Sequence, residues 1–204
     1  PIKIREDLSI NDCLVLEMKF NRKKIFFAVI YRNPSNRADS PEFDAFLSTF
    51  ENMYNKIQNE NPYTILITGD LNGHCQQWWP GGDSNREGIA IDNLTSNLGL
   101  SQLICEPTNF QENSSPSCID LIFSDQPNLV MESGVRPSLD PYCKHQIVYC
   151  KLNYLIPPSP PFKRHIWQYD KANTQLIERS IAEFPWSDML NTNNDPTWQV
   201  TFFN

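Results

Sequence analysis

Thr64-Ile65-Leu66-Ile67-Thr68 is a short, continuously apolar and β-branched run that stops abruptly at Gly69-Asp70. A strand that faces water on one side alternates polar and apolar residues. A run without alternation fits a strand buried on both faces. This segment therefore sits near the centre of a covered sheet, and polar residues begin where it ends.

The flanking segments supply the cover. Ile2-Lys3-Ile4 alternates like a strand. Leu14–Phe20 and Lys24–Tyr31 are two β-rich runs around a polar turn, Asn21-Arg22-Lys23, and read as a hairpin. Arg32-Asn33-Pro34-Ser35 is a loop. Ser40 then caps a helix with Pro41 at its first position. Phe43, Phe46, Leu47, Phe50, Met53, Tyr54 and Ile57 follow at helical spacing and form one apolar stripe, which reads as core packing.

After Asp70 comes a polar loop through Gly82, containing His74, Trp78 and Trp79. Ser84-Asn85-Arg86-Glu87 has capping-box spacing. Ile91, Leu94 and Leu98 continue that helix, and Gly99 suits its C′ position. Leu100–Cys105 reads as a short strand, Glu106–Pro116 as a loop, and Ser117–Phe123 and Gln146–Leu152 as further strands. Strands, helices and then more strands with mixed patterning predict an α/β sandwich. Four prolines between Ile156 and Pro161 favour an extended linker. The expected organisation is a domain over 1–155, a Pro-rich linker over 156–166 and a helical tail over 167–204, with one helix from Asp170 to Phe184.

Charge constrains the partners. The net charge of −7 argues against broad electrostatic binding to a polyanion, which needs Lys and Arg. It does not exclude a nuclease, whose metal-binding groups are themselves acidic. The stretch from Lys19 to Arg37 holds six basic residues and no acidic one. It reads as a solvated hairpin tip plus a loop, or as a rim that contacts a nucleic-acid backbone. None of the six cysteines forms a CxxC pair, so a zinc site is not expected. Reduced thiols in an intracellular protein, nuclear or cytoplasmic, are the expectation, although the even count leaves disulfides open. No apolar run approaches the ~20 residues of a membrane helix, and no signal peptide opens the chain. No membrane partner and no small-molecule cofactor are expected.

Polar residues collect at strand ends: Tyr31, Asp70, Asn72, Asp120 and His145. Phosphodiester hydrolysis requires an oriented water, compensation of charge on the non-bridging oxygens and stabilisation of the leaving oxygen. An Asp and an Asn two residues apart can point into one site, one as proton acceptor and one as neutral donor. Gly-Asp-x-Asn is also a good turn in its own right. Asp120 lies within an apolar run, and a buried carboxylate requires a partner such as His145.

Taken in order, several motifs carry a resemblance. They are Gly69-Asp70-Leu71-Asn72-Gly73-His74 with a Trp following, Asn85-Arg86-Glu87-Gly88, Glu106-Pro107-Thr108-Asn109-Phe110, and Ser117-Cys118-Ile119-Asp120-Leu121-Ile122-Phe123. From about Ile2 to Leu152 the chain resembles the endonuclease domain of non-LTR retrotransposon polyproteins, in the endonuclease/exonuclease/phosphatase superfamily. Trp167-Gln168-Tyr169-Asp170-Lys171-Ala172 resembles the segment that joins this endonuclease to the reverse transcriptase. The resemblance implies an incomplete two-sheet α/β sandwich that lacks its N-terminal strands. It implies a Mg²⁺-dependent endonuclease that nicks DNA to prime reverse transcription, with DNA and the reverse transcriptase domain of the same polyprotein as partners.

Carried onto these residues, the resemblance makes Asp70 the group that orients or deprotonates water and Asn72 the holder of a phosphate oxygen. Tyr31 contacts phosphate, Asp120 orients His145, and His145 sits at the scissile phosphate. His74 matches the retrotransposon branch and contacts substrate or shapes its loop. Two departures accompany it. The family's upstream Asn and metal-binding Glu lie before Pro1, and Cys143-Lys144-His145 stands where the family has Ser-Asp-His. The metal ligands are therefore not assigned from sequence. Two other readings remain: an inactive remnant or binding module, and a phosphatase-type phosphoesterase of the same superfamily.

Overall fold

In the computed structural model, residues 2–9, 12–20, 22–112, 114–153 and 169–186 are described. The proline-rich 156–166 segment lies outside them, as do Trp167 and Gln168.

Among the described residues, eight strands and two long helices build the first of two units, Pro1–Pro157. The strands are β1 (Ile2–Ile4), β2 (Cys13–Phe20), β3 (Lys23–Tyr31), β4 (Thr64–Asp70), β5 (Ser101–Gln102), β6 (Asp120–Ser124), β7 (Val130–Arg136) and β8 (Ile147–Leu152). The helices are α1 (Pro41–Gln58) and α2 (Arg86–Asn97). One sheet runs β1-β2-β3-β4-β6-β5, and β7-β8 form a second. The mixed α/β architecture agrees with the sequence expectation. β7 is an addition, because Val130-Met131-Glu132-Ser133 alternates too weakly to stand out. The expected strand over Leu100–Cys105 shortens to two residues.

β3 and β4 are parallel, with Tyr31 level with Asp70. A parallel pair needs a crossover, and α1 provides it. Ser40 caps α1 by accepting from the Phe43 N–H, with Pro41 in the first turn. The α1 side chains Phe43, Phe50, Met53, Tyr54 and Ile57 are buried in one cluster with Val15, Phe26, Ala28, Ile65 and Ile67. Thr64 to Ile67 are all buried, so this part of β4 is covered on both faces. On the sheet side away from this cluster, Ile2, Ile4, Leu14, Val29 and Tyr31 are exposed along β1–β3.

The capping box is not the observed cap. Asn85 is the N-cap of α2, and its Oδ1 accepts from the Gly88 N–H at 2.7 Å and the His74 N–H at 3.1 Å. Glu87 reaches away instead, and its carboxylate accepts from the Ala38 N–H at 2.9 Å. Gly99 follows the helix with φ +73°, as expected for a C′ glycine.

The basic stretch is divided between the two ends of β3, its hairpin-tip residues at one end and Arg32 at the other. Lys23 lies over the Tyr63 ring, Lys24 pairs with Glu60, Lys19 pairs with Glu17, and Arg32 is buried. The hairpin tip is at the opposite end of β3 from Tyr31, about 26 Å along the strand at its usual rise. All six cysteines are free thiols. No helix among the described residues is long and apolar enough to cross a membrane.

The second unit spans Pro158–Asn204. Its described part holds a short 3-10 turn, Tyr169–Lys171, and α3 (Thr174–Glu183), capped by Asn173. The expected single helix from Asp170 begins four residues later, because Asn173 accepts from the Leu176 N–H and starts a new helix.

Candidate active site

Tyr31, Asp70 and Asp120 form one row across β3, β4 and β6: Tyr31 is level with Asp70, and Asp70 is paired with Asp120. Gly69 permits this row. A Cβ there would collide with the Ile30 carbonyl, so only glycine lets β4 lie against β3 at this point.

Asp120 is fixed from below by Thr108, which is fully buried. The Thr108 hydroxyl donates to Asp120 Oδ2 at 2.7 Å and accepts from the Ile119 and Asp120 N–H groups at 3.1 and 3.0 Å. The carboxylate is in turn 3.0–3.1 Å from His145 Nδ1 through its two oxygens. Asp120 and His145 are therefore partners, as expected for an acid in an apolar run, and Asp120 is half-buried. His145 Nε2 lies 2.8 Å from Asn109 Nδ2. This arrangement suits a neutral imidazole with its proton on Nδ1. Asn109 Oδ1 is buried without a hydrogen-bond partner among the described residues. Turning that amide over would present Oδ1 to an Nε2–H.

Asn72 has a left-handed backbone, φ +48°. Its N–H donates to Asp70 Oδ1 at 3.1 Å, and its Nδ2 donates to the Arg32 carbonyl at 2.9 Å. Part of its donor capacity is thus spent within the protein. Asp70 is held above the usual carboxylate range, first by burial and second by the charge of Asp120.

One ligand atom each from Asp70, Asp120 and His145 lies within 4.8 Å of the others. Two carboxylates facing each other in one ladder suit a hard divalent cation bound through oxygen. Each carboxylate retains lone pairs beyond the hydrogen bonds described, whereas His145 Nδ1 is already engaged by Asp120.

His74 stands apart from this group. It lines a recess of about 330 Å³ with Gly81–Asn85 and Ser115–Ser117. Tyr31 is exposed and lines a recess of about 440 Å³ with Asp12, Arg32, Asn33 and Asn36. Lys144 is exposed beside His145, and its carbonyl accepts from the Phe110 N–H at 2.9 Å. Thr108, Asn109 and Arg32 carry no assignment from the sequence. Thr108 and Asn109 fall inside a motif of the resemblance, but their bonding depends on contacts made across the fold.

The sequence matches the family model described as "Endonuclease-reverse transcriptase" over residues 25–143, a span that stops two residues short of His145. No curated protein matches it. Among solved structures, the chain is similar to the endonuclease domain of TRAS1, a telomere-specific non-LTR retrotransposon. That likeness has a TM-score of 0.62 and 19% identity, covering 76% of this chain and 69% of that one. The 3′-5′ exonuclease NExo of Neisseria meningitidis is similar at TM-score 0.52 and 14% identity, covering 69% of this chain and 65% of that one. These likenesses are of fold: the chain shares the α/β architecture of these two nucleases. With more than half of its residues matched by the family model, the chain belongs to the endonuclease-reverse transcriptase family.

Proposed function

We propose that this chain is the DNA endonuclease domain of a non-LTR retrotransposon polyprotein, hydrolysing a phosphodiester at the Asp70–Asp120–His145 group. The observation that carries this reading is the Asp120–His145 pair set beside Asp70 at one level of the sheet. Asp70 accepts the proton of the attacking water. Asp120 holds the His145 imidazole in one orientation. When a phosphate arrives, the Asn109 contact gives way, and His145, having taken a proton from solvent at Nε2, donates a hydrogen bond from Nε2 to a phosphate or leaving oxygen. Asn72 offers its remaining N–H to a non-bridging oxygen, and Tyr31 borders the phosphate path.

Asp70 and Asp120 are the residues that would hold Mg²⁺, which supplies charge compensation to the phosphate when bound. In an acidic chain that compensation takes the place of a basic surface. The reading places DNA as the substrate, and the reverse transcriptase domain of the same polyprotein beyond the 167–204 tail.

Nicking of supercoiled plasmid, set beside hydrolysis of p-nitrophenyl phosphate, separates this reading from a phosphatase. The expected result is Mg²⁺-dependent nicking that EDTA abolishes, with no release of nitrophenol. Nitrophenol release without nicking would move the assignment to a phosphomonoesterase. Neither activity would leave a binding module.

A further inference from the structure

Arg32 is 2% exposed, yet its side chain makes every hydrogen bond described for it to backbone carbonyls. Nε donates to the Leu71 carbonyl at 2.6 Å, one terminal nitrogen to the Asn72 carbonyl at 2.6 Å, and the other to the Asn36 and Asn33 carbonyls at 2.6 and 3.2 Å. Its guanidinium lies 5.6 Å from the centre of the Phe43 ring. Burial pulls its pKa downward, and the charges of Glu87 and Asp70 oppose that pull. A buried cation without a direct carboxylate partner is costly, and an apolar residue would fill the same volume at less cost.

The backbone of Arg32 grips the same segment. Its N–H donates to the Asp70 carbonyl at 3.0 Å, and its carbonyl accepts from Asn72 Nδ2 at 2.9 Å. One residue therefore contacts Asp70, Leu71 and Asn72 in succession. Asn72 sits in a left-handed conformation that L-residues adopt at a cost. Its N–H is the group that orients the Asp70 carboxylate. Anything that fixes Asn72 fixes Asp70.

We propose that Arg32 is a positioning residue for the hydrolytic site. It locks Asn72 in the left-handed conformation, so that the Asn72 N–H aims the Asp70 carboxylate at the reacting centre. Lysine at this position keeps the charge but cannot span carbonyls on two separate loops. This inference rests on the endonuclease reading for its kinetic consequence and on the fold alone for its structural one.

The test uses the full chain with Arg32→Lys, and Arg32→Gln should the lysine variant not fold. Two readouts are taken: nicking kinetics, and hydrogen exchange of the Asn72 amide by NMR. The expected result is a fall in kcat of about 10- to 100-fold with KM for DNA unchanged, as for a small misplacement of a reacting group. The Asn72 amide is expected to lose protection while amides of β4 keep theirs. An unchanged kcat despite lower thermal stability would overturn the proposal, as would an Asn72 amide as protected as in the wild type. If the wild-type chain does not nick DNA, the endonuclease reading fails, and the Asn72 amide still decides whether Arg32 positions the segment.

Discussion

Asp70 and Asp120 face each other as direct register partners across the antiparallel β4–β6 pair. Like charges at directly opposed positions destabilise a sheet. The protein keeps them there, with His145 beside one of them and burial around the other. On the proposed reading, a bound cation would offset this repulsion.

Replacing Asp70 with Asn removes one charge and keeps an acceptor for the Asn72 N–H. The folded pKa of Asp70 is raised, so the folded state holds its proton more tightly than the unfolded state. Its cost to stability appears as pH rises from the ordinary carboxylate range through that raised value, and it persists at neutral pH. Asp70→Asn is therefore expected to unfold later than wild type at pH 7, by up to about 1 kcal/mol. The difference is expected to vanish well below the ordinary range. Thermal melts across pH check this.

On the proposed reading Mg²⁺ binds only the folded site, so it would stabilise the wild type by mass action. A rise in melting temperature with Mg²⁺ is expected for wild type, and little or none for Asp120→Asn. A shift of equal size in both proteins would place the cation elsewhere.

Thr108→Val leaves the Ile119 and Asp120 N–H groups without their acceptor, within a buried site. A loss of at least about 2 kcal/mol is expected by denaturant unfolding, since each orphaned buried donor costs about 1–3 kcal/mol. Thr108→Ser keeps the hydroxyl and is expected to recover most of that loss.

Gly69→Ala sets a methyl against the Ile30 carbonyl. The β3–β4 ladder has to separate there, and the expected loss exceeds about 4 kcal/mol, in the class of severe backbone clashes. Circular dichroism and a melt measure it. A variant that folds with wild-type stability would contradict the close approach of these strands.

Much of this fold was legible from periodicity. The β-branched run at Thr64, the hairpin and the stripe of α1 each follow from local pattern, and local pattern survives in the structure. The boundaries that moved did so for tertiary reasons. Glu87 left its capping position because Ala38 offers a donor from another loop. β7 pairs with β8 although its own alternation is weak. The site divided in the same way. Asp120 announced its need for a partner, because an acid inside an apolar run needs one. Thr108, Asn109 and Arg32 are an ordinary threonine, asparagine and arginine in sequence. Their roles come from contacts such as that between Arg32 and Leu71, 39 positions apart, which no local pattern encodes.

On the proposed reading, Asp70 and the Asp120–His145 pair act as one hydrolytic unit on DNA. The most direct measurement is plasmid nicking in Mg²⁺ by wild type, Asp70→Asn, His145→Ala and the double variant, at equal folded concentration. Each single variant is expected to lose about 10²- to 10⁴-fold in rate, the contribution typical of a positioned acid or base. The double variant is expected to be little worse than the weaker single, as for residues that work as a unit. Nicking at the wild-type rate by His145→Ala, or losses that multiply in the double variant, would contradict the account.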